Sequence, residues 1–222
     1  MPKPGSTIGL CLSRTAAQLH PDLEFEHGLW QAGLRRLAGI DEAGRGDWAG
    51  PVCAAVVILD PDCDNLQCLS GVRDSKQMTP EQREKWAVLV RECSFCWAVG
   101  WATCGEIDAL GILPATRLAM TRALAELAVA PEHLLLDAVR LYESDLPQTI
   151  LIKGDSRSLS IAAASVLAKT ARDALMCTCG EDHPGYGFAA HKGYGTQLHR
   201  LALKVLGPWS EHRMTYKPLR LD

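Results

Sequence analysis

Short apolar runs alternate with longer amphipathic segments along the chain, and their order predicts an α/β protein. Residues 52–59 form an apolar run, VCAAVVIL, without a polar position, which is typical of a strand buried on both faces of a sheet. Five segments are predicted as strands: residues 37–40, 52–59, 94–103, 133–137 and 149–153.

Amphipathic segments between these strands predict helices. Thr79 followed by Pro80 is a helix start with proline at the first helical position. The predicted helices lie within residues 21–36 and at residues 79–93, 105–112, 114–129, 160–177 and 196–206. The alanine-rich fifth helix has the small residues that allow close packing on a sheet. This order predicts a single α/β domain with helices on both faces of a mixed sheet.

The composition is ordinary for a soluble globular protein, with 222 residues, 47% hydrophobic and 22% charged. Residues 1–20 lack a periodic pattern and are predicted to be a flexible N-terminal tail, followed by one domain over residues 21–222. No apolar run approaches the roughly 18 residues that span a membrane, and the first 20 residues lack the apolar core of a signal peptide. We therefore expect a cytoplasmic protein without a membrane partner.

The net charge of −3 is unevenly distributed. Residues 139–222 carry 11 Lys and Arg against 8 Asp and Glu, together with four of the seven histidines. This basic third could face a polyanion while the acidic remainder holds cations. The alternative is that both are ordinary solvated surface.

Nine cysteines raise the question of a metal site or disulfides. Cys93 and Cys96 have CxxC spacing, but no second such pair lies at the distance of a zinc ribbon. Cys177 and Cys179, with His183, are a further weak candidate. In reduced compartments a free cysteine behaves as a small hydrophobic residue, so we predict structural thiols.

Carboxylates occur at the ends of three predicted strands. Asp41 and Glu42 follow the first strand, Asp137 ends the fourth, and Asp155 follows the fifth. If these ends converge, the charges need a compensating cation, and hard oxygen ligands suit Mg²⁺ or Mn²⁺. Two such ions can activate water and stabilise a leaving oxygen at phosphorus. The alternative is that each acid caps a helix or forms a turn.

Gly44-Arg45-Gly46 follows the first carboxylates directly. Backbone N–H groups in a tight glycine turn can bind an anion, and an arginine adds charge-assisted hydrogen bonds. A backbone without side chains can also approach the 2′-OH that distinguishes RNA from DNA. A plain turn is the alternative, because such triplets are common.

The chain resembles bacterial ribonuclease HII, the type 2 ribonuclease H. The matching motifs run in family order: GIDEAGRG and AGPV at 39–52, DSK at 74–76, LLLDA at 134–138, KGD at 153–155, SIAAASVLAKTARD at 160–173, YGFAAHKGYGT at 186–196 and GPWSEHR at 207–213. The resemblance implies a ribonuclease H-like fold, with a five-stranded mixed sheet flanked by helices and a helical C-terminal region.

The resemblance also implies an activity: metal-dependent endonucleolytic hydrolysis of the RNA strand in RNA–DNA hybrids, giving 5′-phosphate and 3′-hydroxyl ends. Such enzymes also nick at single ribonucleotides embedded in duplex DNA, which starts their excision. We expect a monomer that binds these duplexes and uses Mn²⁺ or Mg²⁺.

The resemblance assigns roles to particular residues. The metal-binding and catalytic carboxylates it implies are Asp41, Glu42, Asp137 and Asp155. The substrate-binding residues it implies are Gly44, Arg45 and Gly46 at the ribonucleotide, Tyr194 on the following deoxyribose, and Lys76 on a backbone phosphate. Asp173 is expected to be structural.

Two departures from the family pattern are visible. Asp47-Trp48 stands where Pro-Leu is usual, and GDWAGP is similar to type 3 ribonuclease H. The arginine in GRG and the short chain before residue 37 favour type 2. DSKQMT replaces the commoner DSKKLS, which removes a positive charge. Asp47 is expected to add negative charge beside the metal site, and the sequence leaves open what this does to substrate affinity and metal preference.

A different class of function is a nucleic-acid-binding module without catalysis, using the basic third alone. The complete set of carboxylates argues against it, because a pure binder gains nothing from acids crowded beside a phosphate. Metal-dependent cleavage separates the two hypotheses.

Overall fold

A five-stranded mixed sheet forms the centre of the protein, in a computed structural model that describes residues 20–219. The strands are β1 (Leu37–Ala43), β2 (Val52–Leu59), β3 (Ser94–Ala102), β4 (His133–Asp137) and β5 (Gln148–Leu151). Their order across the sheet is β3-β2-β1-β4-β5, with β1, β2 and β3 antiparallel and β1, β4 and β5 parallel. The predicted mixed sheet is confirmed.

Helices cover both faces of this sheet. The α-helices of the described residues are α1 (Glu24–Gln31), α2 (Pro80–Cys93), α3 (Cys104–Leu110), α4 (Ile112–Ala125), α5 (Leu159–Asp182), α6 (Phe188–His191) and α7 (Gln197–Leu206). The predicted helix start is confirmed: Thr79 caps α2 in a reciprocal capping box with Gln82, and Pro80 is the first helical residue. None of the helices within residues 20–219 is both long and apolar enough to cross a membrane.

Strand β2 is buried on both faces, as its apolar run predicts. One face joins a core cluster with residues of α2 and α5, and the other joins a cluster with residues of α4. Helix α5 packs directly on β1, where a Cβ on Gly39 would lie 2.3 Å from the backbone carbon of Ser160. The small residues of α5 thus serve the predicted close packing.

Several boundaries differ from the sequence prediction, and the ones around the site are the most relevant. Strand β1 continues through Asp41 and Glu42, because Ala55 and Ala54 of β2 continue the antiparallel ladder beside them. Helix α5 runs to Asp182 instead of residue 177, and α6 forms within residues 183–195, where no helix was predicted. The predicted tail falls almost entirely on residues 1–19, outside the described residues.

Candidate metal centre and substrate-binding loops

Asp41, Asp137 and Asp155 converge at one edge of the sheet. Ile40 pairs with Leu136 across the parallel strands β1 and β4, so the next residue on each strand is an aspartate. Asp155 lies in a short 3-10 turn just after β5. One carboxylate oxygen from each of the three aspartates lies within 4.8 Å of the others. This grouping makes the three aspartates a candidate metal site.

Glu42 lies next to this group but is held differently. Its Oε1 accepts a 2.8 Å hydrogen bond from Arg45, whereas its Oε2 is buried without a hydrogen-bond partner. The charge of Asp137 raises the pKa of Glu42, although burial contributes more and Arg45 opposes both. A buried carboxylate oxygen without a donor suits a metal ion. We call Asp41, Glu42, Asp137 and Asp155 the acidic cluster.

The protonation of the acidic cluster reflects burial and mutual repulsion. Burial raises the pKa of Asp41 well above its usual range, and the charges of Glu42 and Asp137 add to the shift. Burial, with the charges of Asp74 and Asp137, raises the pKa of Asp155 to about 6. A divalent cation would remove this repulsion, since an opposite charge favours the ionised form of each acid. The donor set, all carboxylate oxygen, fits Mg²⁺ or Mn²⁺.

The DSK motif borders the acidic cluster. Lys76 Nζ lies 4.0 Å from Asp155 Oδ2, and its side chain is 70% exposed. Ser75 and Ser165 share a hydroxyl hydrogen bond of 2.9 Å, and the Ser165 hydroxyl opposes the rise in the pKa of Asp41. The two serines were missed as site residues in the sequence, although both lie within matching motifs.

Gly44-Arg45-Gly46, the GRG loop, leaves the end of β1 beside the acidic cluster. Gly44 has φ +94°, and a Cβ there would meet the Nε of Arg172 at 2.0 Å, so the position requires glycine. Arg45 is partly exposed at 40% of its side chain while bonded to Glu42. The loop therefore presents backbone and a cation beside the carboxylates.

Arg213 holds the GRG loop from inside the protein. This fully buried side chain donates to the carbonyls of Gly44 at 2.6 Å, Arg45 at 3.0 Å and Gly50 at 2.7 Å. Its planar fork of donors suits several acceptors at once. Arg213 was not predicted as a site residue, although it ends the GPWSEHR motif.

Arg172 holds a second loop, residues 192–196, which carries Tyr194 and is called the tyrosine loop. Arg172 is fully buried and donates to the carbonyls of Lys192 at 3.0 Å, Ala49 at 3.0 Å and Pro51 at 2.9 Å. Part of the positive charge predicted to face a polyanion is thus used inside the protein. Buried donors that join two loops fix the distance between them.

Asp47 does not add free charge to the metal site, so that expectation was wrong. Its Oδ2 lies 2.5 Å from Arg172 Nη1, and both side chains are buried. Burial raises the pKa of Asp47, and the charges of Arg172 and Arg213 oppose that rise. Neither Asp47 oxygen accepts a well-directed hydrogen bond, so the contact is an ion pair alone. The negative charge that Asp47 brings into the family motif is thus paired with the positive charge of Arg172, 125 residues away in the sequence.

Tyr194 is 44% exposed at the surface of the tyrosine loop. The Lys169 Nζ lies 5.2 Å from its ring centroid, and Lys169 is paired with Asp173 at 2.7 Å. Asp173 also pairs with Arg83 of α2 at 2.9 Å, which agrees with the structural role expected of it. The Tyr194 ring thus lies near a cation and remains partly exposed.

A row of buried histidines lies under the tyrosine loop. His212 Nδ1 accepts from the Trp209 N–H, so its Nε2–H donates to His199 Nε2 at 3.0 Å. His199 Nδ1–H then donates to the carbonyl of Tyr194 at 3.0 Å. The His191 ring stacks on His199 with centroids 4.4 Å apart. All three rings are neutral in this arrangement.

Burial lowers the pKa of each of these histidines, that of His199 to about 4. The hydrogen bonds between these histidines and the tyrosine loop could not be predicted from local sequence. The motifs that contain the histidines were the only available signal. We call Arg172, Arg213, His191, His199 and His212 the loop-holding network.

Comparisons with known proteins identify the family of this chain. The family model described as Ribonuclease HII matches residues 38–218. A Ribonuclease HII of Synechococcus sp. (strain JA-3-3Ab) is 52% identical over 202 residues, which cover 91% of this chain and 90% of the relative.

Solved structures show the same fold. Ribonuclease H2 from Pyrococcus horikoshii OT3 aligns with a TM-score of 0.70 and 26% identity, over 83% of this chain and 95% of that one. Bst-RNase HIII in complex with Mn²⁺ aligns with a TM-score of 0.64 and 20% identity, over 86% of this chain and 70% of that one, a likeness of fold alone. The chain belongs to the ribonuclease HII family of endoribonucleases, hydrolases that act on the RNA of RNA–DNA hybrids.

Proposed function

We propose that this protein is a metal-dependent endonuclease that cuts the RNA strand of RNA–DNA hybrids and also nicks at ribonucleotides embedded in duplex DNA. The products are 5′-phosphate and 3′-hydroxyl ends. The observation that carries the proposal is the convergence of Asp41, Asp137 and Asp155 within 4.8 Å. The buried, unpartnered Oε2 of Glu42 supports a cation beside them.

Asp41, Glu42, Asp137 and Asp155 would hold the divalent cations. Mg²⁺ and Mn²⁺ both accept such oxygen ligands, and the Bst-RNase HIII neighbour is named as a complex with Mn²⁺. When bound, the ions would polarise the water and the leaving oxygen of the phosphodiester. The protein's own part is to hold the carboxylates in place: the Glu42 N–H donates to Asp41 Oδ1 at 2.8 Å, and the Gly154 N–H donates to Asp137 at 2.7 Å.

The GRG loop is proposed to read the ribonucleotide. Gly44 lets the chain turn over Arg172, and Gly46 leaves the loop backbone open to a 2′-OH. Arg45 places a cation beside the adjoining phosphate. Lys76, exposed next to Asp155, is proposed to contact a neighbouring backbone phosphate. Tyr194 is proposed to pack on the deoxyribose that follows the ribonucleotide.

We propose that the protein works in the cytoplasm as a monomer on these duplexes. The eight cysteines of the described residues are free thiols, as is usual in a reducing compartment. Salt should weaken binding steeply, because the contacts to phosphates are electrostatic.

The test is to map cleavage on a duplex with one embedded ribonucleotide, with Mg²⁺ or Mn²⁺. We expect a single nick at the ribonucleotide, no cutting of the matched all-DNA duplex, and loss of the nick in Asp137→Asn. Asp145→Asn is the control, because Asp145 is an exposed acid outside the acidic cluster. Binding without cleavage under both metals would instead favour the non-catalytic module.

A further inference from the structure

Cys68 and Cys93 bring their sulfur atoms within 2.9 Å of each other. Cys68 lies in the 3-10 helix Asp64–Leu69, and Cys93 is the last residue of α2. A covalent S–S bond is about 2.04 Å long, so a small approach of the two side chains would close it. Both thiols are partly exposed, which leaves the pair open to a small oxidant.

The contact differs from the pairing that CxxC spacing suggests. Cys93 packs against the core cluster formed with α2 and α5, whereas Cys96 of β3 packs against the cluster on the other face of the sheet. The candidate metal pair of Cys93 and Cys96 is therefore divided by the sheet. Cys63 lies close enough for its charge to raise the pKa of Cys93, which makes it the competing partner.

The backbone on both sides of the contact is anchored. Leu66, Leu69 and Val72 are buried in the same cluster as Val90 of α2. Two thiols on anchored segments meet repeatedly in the folded protein, so their effective concentration is high. This placement favours an intramolecular disulfide over a persistent mixed disulfide with a small thiol.

We propose that Cys68 and Cys93 are an oxidation site that closes into a reversible disulfide in the presence of a low-molecular-weight disulfide. The Cys68 thiolate attacks one sulfur of the oxidant, forming a mixed disulfide and releasing one small thiolate. The Cys93 sulfur, losing its proton to solvent, then attacks Cys68 and releases the second small thiol. The protein loses two hydrogen atoms, and the oxidant gains them as two thiols.

The disulfide would tie down the segment that borders the acidic cluster. It closes a loop of 25 residues that includes Lys76 and Arg83. Arg83 already joins α2 to this loop by donating to the carbonyls of Ser75 at 3.2 Å and Met78 at 2.7 Å. Oxidation adds a covalent tie at the other end, so local opening of residues 60–79 becomes rarer. The inference does not depend on nuclease activity.

The experiment treats the full-length protein with oxidised glutathione, traps free thiols by alkylation under denaturing conditions, and maps disulfide-linked peptides. We expect a Cys68–Cys93 peptide that disappears with dithiothreitol. Cys68→Ser and Cys93→Ser should abolish it, while Cys96→Ser should keep it. The oxidised wild-type protein should melt about 5 °C or more higher than the reduced one, and its residues 60–79 should exchange amide hydrogens more slowly.

Several results would overturn the proposal. One is a fully alkylated wild-type protein after treatment, and another is a dominant Cys63–Cys93, Cys63–Cys68 or Cys93–Cys96 link. Persistent mixed glutathione adducts on both cysteines would also overturn it. Peptide mapping of the wild-type protein decides among these outcomes even if a serine variant folds poorly.

Discussion

The acidic cluster and the loop-holding network are neighbouring regions built on opposite principles. In the acidic cluster burial and like charge raise the pKa of Asp41 and Asp155, and Glu42 keeps a buried oxygen without a donor. In the loop-holding network Arg172 and Arg213 each donate to three backbone carbonyls. We propose that a cation completes the acidic cluster, whereas the loop-holding network makes its hydrogen bonds within the protein. On this proposal, rigid surroundings hold a cluster of mutually repelling acids in shape.

The largest expected effect is on catalysis. Asp41→Asn keeps the shape of the side chain but removes a charged ligand, so cleavage should fall roughly 10³-fold, or about 4 kcal/mol. Because repulsion in the acidic cluster is relieved, the metal-free variant should melt at the same temperature or higher. Cleavage rates check the loss of activity, and melting curves check the stability of the metal-free variant, with Asp145→Asn as the control for both. Wild-type turnover would remove Asp41 from the metal centre.

The second prediction concerns the asymmetry of the Asp47–Arg172 pair. Arg172→Met leaves a buried charge and three carbonyls without donors, so the free energy of unfolding should fall by about 3–5 kcal/mol. Asp47→Asn leaves Arg172 its three carbonyl acceptors and should cost only about 1–2 kcal/mol. Urea unfolding measures both. The ratio of Mg²⁺ to Mn²⁺ activity in Asp47→Asn should equal that of the wild type; a changed ratio would restore a role for Asp47 at the metal.

The third prediction is a pH dependence of stability from His199. The folded pKa of His199, about 4, lies below the usual 6.5. Its contribution to the free energy of unfolding is therefore complete above pH 6.5 and is lost as the pH falls toward 4. The free energy of unfolding should fall by about 3 kcal/mol over this range. In His199→Asn the side-chain amide keeps an N–H donor for the Tyr194 carbonyl, but it does not titrate.

The comparison with His199→Asn isolates this effect, because both proteins keep the other groups that titrate or carry charge nearby: His191, His212, Asp47 and Lys192. Unfolding free energies between pH 4 and 7 should decline more steeply in the wild type. Parallel curves would show that His199 is not the titrating group.

The smallest effect is expected at Tyr194. Tyr194→Phe keeps the ring and should retain most of the cleavage activity on a single embedded ribonucleotide. Tyr194→Ala should reduce that activity about 10-fold, because one aromatic contact is lost. A uniform RNA–DNA hybrid has ribose at that position, so Tyr194→Ala should harm it less. Equal losses on both substrates, together with a lower Tm, would mean that the ring only packs the loop.

Local patterns in the sequence predicted much of the fold and part of the site. The apolar run of β2 and the Thr79–Pro80 cap are local signals, and both lie where they were expected. Asp41 and Asp137 were found because each comes at the end of an apolar run. The adjacency of these two acids, however, depends on the register of β1 against β4, which no single segment encodes.

Contacts between distant segments could not be predicted. The partner of Asp47 is Arg172, and the partner of Cys93 is Cys68 in place of the nearby Cys96. Neither pair has a periodic spacing, because the two members reach each other only through packing of α5 or α2 against the sheet. An unusual residue in a motif, such as Asp47, signals that a compensating partner exists but not where it lies.

The most direct test of the account is calorimetric titration of Mn²⁺ into the metal-free wild-type protein and into Asp41→Asn. We expect saturable binding to the wild-type protein that also raises its Tm, and strongly weakened binding with no rise in Tm for the folded variant. Asp145→Asn should bind as the wild type does. Equal Mn²⁺ binding by the wild type and Asp41→Asn would contradict the claim that the acidic cluster is a metal centre.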